Sequence, residues 1–163
     1  MKKMICFGIV LLVFLCACKK PVRYSVIPKI RFISFEKLQQ EKGKLTFYFQ
    51  DGDGDIGLDD WQTMPPYNYN FFCSYYEKQN GVFVKVDSIL DPKGEMYPFN
   101  LNARIPRLST LPEESIDGEI AIVFSPSYFD SFSPYSDTVS LEFYILDRQL
   151  NKSNVEQVTI IRK

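Results

Sequence analysis

The segment Thr138-Val139-Ser140-Leu141-Glu142-Phe143-Tyr144-Ile145-Leu146 decides the fold. Val139, Leu141, Phe143 and Ile145 fall on one side of an extended chain; Ser140, Glu142 and Tyr144 fall on the other. Strict alternation is the signature of a strand with one buried face, because successive strand side chains point to opposite faces. β-Branched and aromatic residues dominate the segment, as strands prefer. The same period appears in residues 44–50, where Leu45, Phe47 and Phe49 share one face and Lys44, Thr46, Tyr48 and Gln50 the other.

Further strands follow outward from these two. Residues 69–78 and 82–86 flank Gln79-Asn80-Gly81. Asn-Gly between two β-rich runs predicts a hairpin, because both central residues of its turn need positive φ. Val82, Val84 and Val86 share a face. Ile30 and Phe32 begin the first strand. Residues 96–105 read as a weaker strand interrupted by Pro98, and Pro106, Pro112 and Asp117-Gly118 as a loop. Residues 119–124 are nearly all apolar and predict a central strand. Residues 154–161 close the domain. Residues 35–41 have room for one helical turn, which Gly43 stops, and no amphipathic helix is present. About seven short strands separated by Gly, Pro and Asp turns predict an all-β antiparallel sandwich.

Composition narrows the function. The chain has 163 residues, 45% hydrophobic and 24% charged, which suits one globular domain. Lysine plus arginine is 19 and aspartate plus glutamate is 20. That balance lacks the basic field that nucleic-acid binding requires. There is no histidine. Ser-His-Asp and Cys-His nucleophiles, histidine zinc sites and the commonest general base near neutral pH are therefore excluded. No nucleophile elbow, P-loop or zincin motif occurs. Cys73 lies in Phe71-Phe72-Cys73-Ser74-Tyr75 and reads as a small buried hydrophobe, not an activated thiol. The expectation is a protein that is not an enzyme.

The N-terminus carries an address. Lys2 and Lys3 precede residues 4–15, which are apolar throughout. That run fits a signal-peptide core and falls short of the roughly 20 residues of a membrane span. Leu15-Cys16-Ala17-Cys18 resembles the bacterial lipobox, with small Ala17 before Cys18 and a cysteine where a small residue is commoner. The resemblance implies a lipoprotein signal peptide at 1–17 and acylation of Cys18. A tether would follow at 18–26, and the sandwich domain at 27–163. Acyl chains hold a protein to a bilayer without spanning it, at about 0.8 kcal/mol per buried CH₂.

Directly after the strand ending at Phe49 comes Asp51-Gly52-Asp53-Gly54-Asp55-Ile56-Gly57-Leu58-Asp59-Asp60. Asp51, Asp53 and Asp55 alternate, so a tight glycine-bent loop can turn all three inward. Clustered hard oxygens suit Ca²⁺. The segment is not an EF-hand: Ile56 stands where that loop needs glycine, and Gln62 where it needs the bidentate acid. Two readings stand, a Ca²⁺ site that borrows ligands from elsewhere and a solvated Asp-Gly turn.

Phe49-Gln50-Asp51-Gly52-Asp53-Gly54-Asp55-Ile56-Gly57, with Asp147-Arg148-Gln149-Leu150-Asn151-Lys152-Ser153-Asn154, resembles a motif pair of small Bacteroidota lipoproteins. The usual forms are F-x-D-G-D-G-D-I-G and D-R-x-G-N-x-S-N; Leu150 stands where the second has glycine. The resemblance implies an immunoglobulin-like or cadherin-like domain and makes Asp147 a partner of Asp51, Asp53 and Asp55 around calcium. The alternative is that Asp147 and Asn151 cap the final hairpin turn. Surface-destined lipoproteins of that group carry acids after the lipidated cysteine. Lys19-Lys20-Pro21 favours instead an outer-membrane lipoprotein facing the periplasm.

The expected function is a membrane-anchored binding or scaffold module, its partners the bilayer through Cys18 and an envelope protein. The alternative is a glycan-binding module of a cell-envelope uptake system. It rests on the aromatic stretch from Trp61 to Tyr76, where Trp61 and Tyr67, beside Pro65-Pro66, are expected to be exposed. Alternating aromatics are also ordinary core residues.

Overall fold

The computed structural model describes residues 24–91, 93–108 and 114–162. The predicted signal peptide, Cys18, most of the 18–26 tether and Pro112 lie outside the described residues. Among the described residues the chain forms nine strands and no helix: β1 (Lys29–Lys37), β2 (Gly43–Asp51), β3 (Phe71–Gln79), β4 (Val82–Lys85), β5 (Ser88–Leu90), β6 (Met96–Pro98), β7 (Ile116–Phe124), β8 (Thr138–Ile145) and β9 (Glu156–Ile161). They build an antiparallel sandwich. One sheet has the order β1-β2-β7 and the other β4-β3-β8-β9, with β5-β6 a separate small hairpin. With that hairpin set aside, the order is the A-B-E against C′-C-F-G arrangement of the immunoglobulin sandwich.

The alternation read from β2 and β8 is the alternation of burial. Leu45, Phe47 and Phe49 of β2 face Phe71, Cys73 and Tyr75 of β3 and Val139, Leu141, Phe143 and Ile145 of β8. Phe47, Phe71 and Phe143 join the two sheets, with ring centroids 5.7–5.9 Å apart. Each such aromatic pair adds about 0.5–1.5 kcal/mol beyond its buried area. Cys73 is a free, buried thiol, and burial pushes its pKa up. Asn80 and Gly81 take φ of 50° and 88°, and the predicted hairpin forms between β3 and β4.

Four expectations change. The helical turn at 35–41 is absent: β1 runs through Lys37, and Gln40 and Glu41 adopt positive φ in a turn closed by Leu38 N–H donating to the Lys42 carbonyl. The apolar run 119–124 is an edge strand, not a central one. β7 pairs with β2 alone, starts earlier through Asp117-Gly118, and leaves Ala121 and Val123 exposed. Small apolar residues on its outer face imitate two-sided burial. Val82 and Val84 likewise lie exposed on edge strand β4. Of residues 96–105, just Met96–Pro98 pairs as a strand. Beyond it, the Asn100 and Asn102 side chains accept from the Asn102 and Cys73 amides, holding a loop that sends Leu101 and Ile105 into the core.

Candidate metal centre

Strand phase builds this site. Leu45, Phe47 and Phe49 point inward on β2, and the next inward position is Asp51. Val139, Leu141, Phe143 and Ile145 point inward from the facing sheet, and the next inward position there is Asp147. Period-2 geometry therefore delivers two carboxylates to the same end of the core. Asp51 is 0% exposed and Asp147 1%.

Past Asp51 the chain turns tightly. Gly54 and Gly57 have φ of 68° and 102°, and a Cβ at either would lie 2.2 Å from the Glu114 carbonyl oxygen or 2.3 Å from that of Pro106. Glycine is needed at both places for conformation and for space. Ile56 and Leu58 are buried, and the Leu58 amide donates to the Ile105 carbonyl, pinning the loop to the core. The result is a triad. One carboxylate oxygen each from Asp51, Asp53 and Asp55 lies within 4.8 Å of the others, a grouping that could hold a metal ion. The Oδ1 atoms of all three are buried and accept no hydrogen bond. Buried polar atoms are normally paired, and leaving one unpaired costs about 1–3 kcal/mol, more when it is charged.

The second oxygens are engaged. Asp51 Oδ2 accepts from the Asp55 amide at 2.8 Å, and Asp53 Oδ2 from Gln149 Nε2 at 2.7 Å. Burial, then the charges of Asp53 and Asp55, push the Asp51 carboxyl up to about 7. Burial, then the charges of Asp147 and Asp53, push Asp55 up to about 6. Asp147 is also raised, by burial first, against hydrogen bonds from Asn151 that favour its ionised form. Desolvation and like charge thus act together on one cluster.

The structure brings Asp147 beside the triad rather than into it. Its Oδ1 and Oδ2 accept from the Asn151 amide and Asn151 Nδ2, both at 2.8 Å. The capping role expected as the alternative is present. Leu150, at the motif's usual glycine, takes φ of 67° in this turn. Gln149, to which the sequence reading gave no role, is the cross-loop contact to Asp53.

A guanidinium clamp orders the neighbouring loop. Arg104 donates to the carbonyls of Asp59, Gln62, Tyr67 and Asn68. Asp59 pairs with Arg107 at 3.3 Å and Arg148 at 3.1 Å. Gln62 Oε1 accepts from the Asp59 amide, so the residue at the EF-hand's last position turns away from the triad. Trp61 is exposed as expected. Tyr67 is half-buried, its hydroxyl donating to the Arg148 carbonyl at 3.4 Å, which corrects the expectation that it is exposed. Arg104 did not stand out in the sequence, because a clamp on backbone carbonyls leaves no spacing pattern.

No protein-family model matches the chain, and no curated protein does either.

Proposed function

We propose that this protein is a lipid-anchored, non-enzymatic binding or scaffold module of the cell envelope whose acidic loop binds Ca²⁺. One cluster carries the calcium reading: Asp51, Asp53 and Asp55 each hold a buried, unpaired Oδ1, and one carboxylate oxygen of each lies within 4.8 Å of the others. Hard oxygens in a glycine-bent loop match calcium, which takes 6–8 oxygens at about 2.3–2.6 Å. Asp51, Asp53 and Asp55 would hold the ion, with Asp147 adding negative field from beside them. Magnesium fits less well, since it favours few protein ligands and keeps its waters. The anchor reading rests on Cys18 and the signal-like residues before it, and the resemblance to Bacteroidota lipoproteins points the same way. The non-enzymatic reading rests on the lack of histidine and on an acidic loop whose Asp59 is committed to two arginines.

Thermal melting of the full chain in detergent tests the calcium reading, with EDTA and then graded calcium, beside the Asp53→Asn, Asp55→Asn double variant. A ligand that binds the folded state alone stabilises by RT ln(1 + [L]/Kd). The wild-type midpoint is expected to rise with calcium and the double variant's to stay fixed. Superimposable wild-type melts refute it.

A second reading, glycan binding, is favoured by Trp61, an exposed aromatic face on a loop held by Arg104. A glycan array probed with wild type and Trp61→Ala tests it. Absence of glycan binding, or binding that survives the substitution, removes this reading.

A further inference from the structure

The chain enters the domain beside the acidic loop. The Gly52 amide donates to the Ser25 carbonyl at 2.9 Å. Around this point lie the ends of β2 and β8 and the starts of β1, β3, β7 and β9, so the acidic loop, the 146–155 turn and the Trp61 loop share one end of the sandwich. Exposed apolar residues at this end are Val26 and Ile27 where the chain enters, Trp61 and Met64 on the clamped loop, and Leu150 on the turn. Trp61 and Met64 are each 75% exposed.

Chain length decides what this end meets. Only five residues, 19–23, lie between Cys18 and Tyr24, so six Cα steps give a reach of about 20 Å when fully extended. The nine-residue strands make the sandwich about 30 Å long. A tether of that length cannot fold back to set the Asn80-Gly81 end on the bilayer that holds Cys18. The acidic-loop end is held near it. Tryptophan suits a membrane interface, with an apolar body and an N–H that stays wet. Bare carboxylates would repel anionic headgroups, and a bound divalent cation would offset that repulsion.

We propose that the acidic-loop end of the sandwich rests on the bilayer, with Trp61 and Met64 seated among the lipid headgroups. The proposal rests on the lipid-anchor reading, and its test separates the two.

Trp61 is the sole tryptophan of the chain and so reports its own surroundings. The full chain, extracted from host membranes and checked by mass for acylation of Cys18, is reconstituted into phosphatidylethanolamine–phosphatidylglycerol vesicles. Fluorescence is read with calcium and with EDTA, against aqueous iodide and against lipids brominated near the headgroup. A control, Trp61→Phe with Val82→Trp, puts the probe on exposed β4 at the opposite end. The expected result is a blue-shifted Trp61, quenched by brominated lipid and shielded from iodide at least when calcium is present, while the control probe stays open to iodide. An acylated chain whose Trp61 remains open to iodide in both buffers overturns the orientation and leaves the anchor standing. So does lipid quenching of the control probe. An unacylated mature chain overturns the anchor reading and the orientation with it.

Discussion

Replacing Asp51 with Asn is expected to stabilise the metal-free protein and abolish its response to calcium. The amide keeps an oxygen for the Asp55 amide, which Asp51 Oδ2 now accepts at 2.8 Å. Its Nδ2 can donate to an unpaired Oδ1 of Asp53 or Asp55. The substitution also removes a charge from a fully buried position. Lifting this carboxyl from 3.8 to about 7 costs the ionised fold at most about 4 kcal/mol. Relaxation and water entering the loop roughly halve that, leaving about 2 kcal/mol. For a domain of this size the gain is about 6 °C in melting temperature. The sign with pH follows from linkage. The folded carboxyl holds its proton more tightly than the unfolded one, so the cost of ionisation is absent below about pH 4. Stability falls as pH rises through about 7. In EDTA, wild type should lose stability between pH 5 and 7.5, and the variant should lose less. Calcium at 100 times its Kd returns about 2.7 kcal/mol to wild type alone. The two proteins should therefore change rank between EDTA and saturating calcium, by calorimetry or denaturant titration. An Asn variant less stable than wild type in EDTA would show that the carboxylate serves the fold as it stands. A variant with the full calcium response would show that Asp51 is no ligand.

Three further substitutions probe the parts around it. Leu150→Gly should stabilise by about 0.5–1 kcal/mol in urea titration, since a leucine at φ of 67° bears left-handed strain that glycine relieves. Gly54→Ala should destabilise by about 3 kcal/mol in the same assay, because its Cβ would meet the Glu114 carbonyl oxygen at a positive φ. Arg104→Met should cost about 2–3 kcal/mol by stranding the carbonyls of Asp59, Gln62, Tyr67 and Asn68. Limited proteolysis should then cut first within residues 59–68.

Much of the sandwich is legible in the sequence because burial has a period. In β2 and β8 large apolar residues alternate with polar ones, and Asn80-Gly81 announces its own turn. Legibility fails where the outer face is apolar too. Ala121 and Val123 hide that β7 is an edge, and Val82 and Val84 do the same for β4. It fails again where backbone groups are met by single side chains. Arg104 holds four carbonyls, and Asn70 bonds both the amide and the carbonyl of Ile105, with no periodic trace of either. The acidic loop was visible as composition. What composition hides is which carboxylates turn inward.

Phase answers that question and weighs the two readings of the loop against each other. A turn built for solvation would set its acids at the outward positions, where water screens them. Here the outward neighbours on β2 and just beyond are Gln50 and Gly52, and those flanking Asp147 are Leu146 and Arg148. Asp51 and Asp147 occupy the inward positions, continuing the rows of Leu45, Phe47, Phe49 and of Val139, Leu141, Phe143, Ile145, while Asp53 and Asp55 are half-buried in the loop. One step of strand slippage would move Asp51 into water and Phe49 with it, so the hydrophobic row itself holds the carboxylate in. Burying it beside Asp53, Asp55 and Asp147 opposes folding by an amount comparable to a large share of a domain's net stability of about 5–15 kcal/mol. Arg148, the nearby cation, points its guanidinium to Asp59 instead of the triad. A divalent cation would meet both the charge and the unpaired oxygens of the three carboxylates, which is the physical argument for the proposed metal site over the solvated turn.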